Sequence, residues 1–163
     1  MKYVNFCLMV IFSLVLTSGS IKDPAPTVGY YPGEMIPNIV LTDLEGNTKN
    51  LSNYKGKKVV VNFWASYDAQ SRASNVRLHN YLKINNLDVN FLSISLDENI
   101  NVIERTLVMD NLDKNSQFCE VNGTDSQLYR EFKLNRGFRS YLIDEDGVIT
   151  AMNITPEVLK TIL

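Results

Sequence analysis

Val59-Val60-Val61-Asn62-Phe63-Trp64-Ala65-Ser66-Tyr67-Asp68-Ala69-Gln70-Ser71-Arg72 joins a nearly unbroken apolar run to a set of small and polar residues. From Val59 to Trp64 the β-branched and aromatic side chains leave no polar face, as in a strand covered on both sides of a sheet. The pattern changes at Asp68, which reads as the N-cap of a helix. Apolar residues at Ala73, Val76, Leu78, Tyr81, Leu82, Ile84 and Leu87 follow near the helical period, and Asn85-Asn86 marks the stop. A central strand that breaks into a helix N-terminus is the outline of a redox site, yet the stretch holds no cysteine.

Downstream, Val89 to Leu96 alternates like a second strand, and Asp97-Glu98-Asn99 caps a helix running through Met109. Asn115 to Val121 reads as a short strand containing Cys119. Asn122-Gly123 then turns toward a helix with Asp125 in its first turn and a body extending to Leu134. Asn135 to Arg139 form a loop. Ser140–Asp144 and Val148–Asn153 make a hairpin across Glu145-Asp146-Gly147, and Thr155-Pro156-Glu157 opens a last helix with proline in its first turn. Upstream, Asn38–Thr42 and Asn47–Leu51 flank Asp43-Leu44-Glu45-Gly46 as another hairpin. Residues 21–37, rich in Pro24, Pro26, Pro32, Pro37, Gly29 and Gly33, read as an extended lead-in or tether. The class is α/β, with one domain over residues 38–163.

With 163 residues, 45% hydrophobic and 21% charged, the chain is long enough for one well-buried core. A formal charge of -2 supplies no basic field for phosphate backbones, so nucleic acid is not the expected partner. Residues 1–20 have a signal-peptide pattern: Lys2, an apolar run from Phe6 to Leu16, and the small residues Thr17 to Ser20. Cleavage after Ser20 gives a secreted, periplasmic chain without a stable membrane span; an uncleaved anchor is the alternative. Of the two cysteines, Cys7 leaves with the signal segment, and Cys119 remains as a single thiol that cannot close an intramolecular disulfide.

The sequence resembles the thioredoxin-like family, in particular its secreted TlpA/ResA branch and the related AhpC/TSA proteins. The residues that carry the resemblance fall in family order: Pro37 with Leu41, Asp43 and Gly46; Leu51 with Tyr54-Lys55-Gly56-Lys57; Val61-Asn62-Phe63-Trp64-Ala65; Arg72; and Tyr141-Leu142-Ile143-Asp144 with Gly147. The resemblance implies a thioredoxin-like fold, a central mixed sheet flanked by helices, with an added N-terminal hairpin. In that family the Trp-Ala block leads into Cys-x-x-Cys, where Asp68-Ala69-Gln70-Ser71 stands here. Phe138 falls where the family places a cis-proline against the cysteine pair, and Val76 where a proline bends the first helix.

Thiol exchange needs a thiolate at a helix N-terminus and a second thiol to resolve the mixed disulfide. Asp68 keeps a negative charge there and caps the helix. Ser71 would need an adjacent base to become a nucleophile, and the sole histidine, His79, lies eight residues along the same helix, roughly 12 Å away. His79 is expected on the helix surface, and no residue set suggests a metal or cofactor. Arg72 is expected to pair with Asp68 one turn away. A recognition patch of Tyr67, Asp68, Arg72, Phe138 and Arg139 is the functional alternative, binding a protein or peptide. The enzyme reading is a thiol-disulfide oxidoreductase or peroxiredoxin acting through Cys119, set against an inert buried cysteine.

Overall fold

A computed structural model describes residues 25–163; the signal segment read over residues 1–20 and the first residues of the lead-in lie outside the described residues. Seven strands form one mixed sheet: β1 Val40–Asp43, β2 Thr48–Asn50, β3 Val59–Trp64, β4 Asn90–Ser95, β5 Gln117–Cys119, β6 Ser140–Ile143 and β7 Ile149–Met152, in the spatial order β2-β1-β5-β4-β3-β6-β7. β3 lies parallel to β4 and antiparallel to β6, with Val61 opposite both Leu92 and Tyr141. Among the described residues four α-helices flank the sheet: α1 Ala69–Ile84, α2 Ile100–Met109, α3 Gln127–Glu131 and α4 Pro156–Ile162.

All six residues of β3 are buried. Val59, Val61 and Phe63 enter a cluster with Leu41, Ile94, Phe118, Phe132 and Tyr141 on one face. On the other face Val60 packs with Leu78 and Leu82 of α1 and with Ile154 and Leu159, while Trp64 meets Ile103 and Leu107 of α2. The one polar residue of the strand, Asn62, is satisfied from the helix: its side-chain amide donates to Asn75 Oδ1 at 3.0 Å, and Ser93 Oγ on β4 donates to the same oxygen at 2.7 Å. Three polar side chains thus tie β3, α1 and β4 together inside the core, where a lost partner costs more than it would in water.

The lead-in is pinned along much of its length. Met35 bridges Val28 on one side and Val148 on the other, Ile36 N–H donates to Gly147 C=O, and Ile149 N–H donates to Glu34 C=O. The segment therefore covers the outer edge of β7, which would otherwise present open ladder groups. The Glu34 carboxylate accepts from the Tyr30 and Tyr31 N–H groups at 2.7 and 2.9 Å.

α1 ends at Ile84, as the Asn85-Asn86 stop predicts, with Asn86 in the left-handed region at φ 47°. Two sequence expectations need correction. The helix expected from Asp125 to Leu134 is only Gln127–Glu131, because Lys133 takes a left-handed φ of 52° and a short 3-10 turn follows. His79 is not on the helix surface: it is 6% exposed, in edge-to-face contact with Phe91, with Nε2 3.4 Å from an Asp113 carboxylate oxygen. Asp113, in the turn after α2, and Phe91 of β4 close over that side of the helix.

Burial holds the His79 imidazole below its ordinary pKa, against the opposing pull of Asp113. As pH falls below about 6.5 the unfolded chain takes up the proton first, so stability declines from there until the folded-state pKa is passed. Urea unfolding at neutral and mildly acidic pH should show a decline in the wild type that is smaller in His79→Gln. Asn75→Ala leaves the Asn62 amide and the Ser93 hydroxyl without their acceptor, and should lower the unfolding free energy by about 2–3 kcal/mol in the same assay.

Candidate functional site

The chain leaves β3 at Trp64, turns through Ala65, Ser66 and Tyr67, and enters α1 at Asp68. Asp68 is extended, at φ -104° and ψ 102°, and its Oδ1 accepts from Ser71 N–H at 2.7 Å, the bond expected of an N-cap. The Ser71 hydroxyl is fully engaged as well. It donates to Asp68 C=O at 3.2 Å and accepts from Ala65 N–H at 3.3 Å, and the residue is 6% exposed. At the two positions where the resemblance would place sulfur, one side chain caps the helix and the other staples the loop to it.

Asp97, expected among the residues capping α2, has a different task, and the cap is Asn99, whose side chain accepts from Asn101 N–H. The Asp97 carboxylate accepts from Ser66 N–H at 2.8 Å, from Ser66 Oγ at 2.6 Å and from Ser95 Oγ at 2.7 Å. It thereby fastens the end of β4 to the loop that carries Tyr67. Nothing in the local sequence distinguishes it from a cap, since its partner Ser66 lies across the sheet.

The expected Asp68–Arg72 pair is not formed. Arg72 turns toward the C-terminus of α2 and grips Asp110 with both arms, Nε to Oδ2 at 2.7 Å and Nη2 to Oδ1 at 2.6 Å. The planar guanidinium fork matches a carboxylate that offers two oxygens, whereas the Asp68 carboxylate is already engaged with the helix. Arg72 is therefore a tie between helices and does not line the groove described next.

A groove of about 570 Å³ opens beside the start of α1, lined among others by Asp68, Gln70, Ser71, Arg77, Phe138 and Arg139. Tyr67 stands at the rim, 64% exposed, with its ring centroid 6.3 Å from that of half-buried Phe138. Burial raises the Tyr67 phenol pKa, with nearby Tyr129, Asp97, Asp68 and Glu98 adding to it. Asp68, Phe138 and Arg139 of the recognition patch thus line the groove, and Tyr67 adjoins it through Phe138. The Arg139 C=O accepts from Phe63 N–H at 3.0 Å, which fixes the loop to β3. Among the described residues, the N–H and C=O of Phe138 and the N–H of Arg139 have no backbone partner. Sequence reasoning missed Arg77 and Arg136 in the lining; the spacing of Gln70, Ser74 and Arg77 on one helix face was a usable signal for the first.

Cys119 lies apart from the groove, 6% exposed, against Trp64, Ile103, Leu107 and Leu112. Its Sγ–H points to Asp43 C=O at 3.8 Å. Burial first, then the charges of Glu120 and Asp43, push the thiol pKa up, away from thiolate. Among the described residues no group of three or more His, Cys, Asp or Glu is placed to hold a metal ion, and no helix is long and apolar enough to cross a membrane.

A mixed sheet with a strand-to-helix break beside a loop that precedes an antiparallel strand defines a thioredoxin-like protein. The chain belongs to the Redoxin family, which it matches over residues 31–161. It is similar to a thioredoxin-like protein from Parabacteroides distasonis, with 38% identity and a TM-score of 0.70 over 83% of this chain and 96% of that one. A thiol-disulfide oxidoreductase from Bacteroides fragilis, 24% identical, shares the fold at a TM-score of 0.69 over 80% of this chain and all of that one (100%). Thiol-disulfide oxidoreductase ResA of Geobacillus kaustophilus is 49% identical over 35 residues, 22% of this chain and 20% of that protein. ResA of Bacillus thuringiensis is 28% identical over 118 residues, 72% of this chain and 66% of that protein. The chain thus spans less than two thirds of these ResA relatives.

Asp68→Ala removes the cap of α1 and should cost about 1 kcal/mol of unfolding free energy, while Asp68→Asn, which can still accept from Ser71 N–H, should cost clearly less. Thermal or urea unfolding of the two variants checks this.

Proposed function

We propose that this chain is a secreted thioredoxin-like protein whose degenerate site no longer exchanges disulfides and instead holds a protein or peptide. The observation that carries the reading is the occupation of Asp68 and Ser71 by structural bonds beside a groove that stays open. The backbone groups of Phe138 and Arg139 that face no partner are suited to an extended chain, and the Tyr67–Phe138 pair offers it an aromatic rim. Secretion rests on the signal-like pattern of residues 1–20.

The ResA relatives carry the name of thiol-disulfide oxidoreductases, and that activity needs a thiolate and a resolving thiol. Cys119 offers neither exposure nor a lowered pKa, and after signal removal it has no second cysteine to work with. Insulin-disulfide reduction and peroxide consumption, measured with wild type and Cys119→Ser, test the reading. Both proteins should stay at the uncatalysed background in both assays. Turnover by the wild type that Cys119→Ser abolishes would replace this reading with a redox one.

A further inference from the structure

The groove is unusual in its charge. Its titratable lining consists of Asp68 against Arg77, Arg136 and Arg139, and it adjoins a smaller depression that shares Arg136 and adds Arg130 and Lys133. Five cations and one carboxylate therefore line two recesses that share Arg136, on a chain whose formal net charge is -2. The asymmetry is local, and a recess with low-dielectric walls concentrates such a field.

These arginines are also without carboxylate partners. Among the described residues, none of Arg77, Arg136 and Arg139 has a carboxylate oxygen within ion-pair distance, whereas Arg72, on the same helix as Arg77, is clamped by Asp110. Arg77 influences Glu157 only from beyond that distance, and Arg139 has the buried Tyr141 hydroxyl within hydrogen-bonding reach. Asp68 is the one carboxylate in the groove lining, and it is engaged with Ser71 N–H at the helix start.

We propose that the groove selects an acidic segment of a partner polypeptide, with Arg77, Arg136 and Arg139 pairing with its Asp and Glu side chains; this rests on the peptide-binding reading above. Guanidinium forks suit carboxylates, and the unpartnered backbone N–H and C=O groups at Phe138 and Arg139 offer both a donor and an acceptor, the pair that a polypeptide main chain matches. A recess of about 570 Å³ takes a few residues of extended chain, while a flat bilayer would leave its charges unreached.

The test is fluorescence anisotropy of the full chain with labelled peptides of equal length that are Glu-rich, Gln-rich or Lys-rich, and with a labelled oligothymidylate. The Glu-rich peptide should bind at least about tenfold more tightly than the other two peptides, and less tightly as salt rises. The triple variant Arg77→Gln, Arg136→Gln, Arg139→Gln should lose at least that factor. A control with the same charge change outside the groove, Lys49→Gln, Lys55→Gln, Lys57→Gln, should lose less than about twofold. Equal loss in both triple variants overturns the proposal, as does preference for the oligothymidylate. Equal binding of all three peptides that Phe138→Ala abolishes overturns the acidic preference and leaves the peptide-binding reading standing. Binding of none of them overturns both. Circular dichroism confirms that each variant is folded, and all the charged positions substituted are solvent-accessible.

Discussion

Strand β3 has a neighbour on each edge and a packed cluster on each face, and it carries a single polar side chain, Asn62. That residue can be buried only if something answers its amide, and Asn75 on α1 does so while also accepting from Ser93 on β4. The requirement sets the position of α1 along the sheet, since Asn75 must face Asn62. With the helix placed, its first turn meets the loop before β6, and the groove between them is a by-product of that placement.

Around this centre the turn is fastened by polar side chains. Asp97 holds Ser66, Ser71 holds Ala65, and Arg72 holds Asp110, so the turn that carries Tyr67 and Asp68 is tied to β4, to α1 itself and to α2. What remains free is the other side of the same turn, where Asp68 and Phe138 face one another across the groove with three arginines around them.

Much of this could be read from the residues. The unbroken apolar run of β3, the Asp68 cap, the Gly46 and Gly147 hairpins and the proline-led last helix are local signals, and each element forms where its signal lies. What escaped depends on distant parts of the chain. Arg72 has a carboxylate one helical turn away and takes one 38 residues on, because Asp68 is already engaged by its own helix. His79 sits on a polar stretch of α1 that Asp113 and Phe91 enclose from outside it. The charge of the groove was illegible for the same reason: Arg77 and Arg136 are 59 residues apart in sequence and meet only through the fold.

The residues at the start of α1 also bear on how the surface responds to its surroundings. A vicinal dithiol there would exist in two covalent states, and the turn around it would differ between them with the ambient potential. The bonds from Asp68 to Ser71, Ser71 to Ala65 and Arg72 to Asp110 involve only oxygen and nitrogen, and none of them can be made or broken by electron transfer. The bonds that shape this turn are therefore the same in reducing and oxidising media.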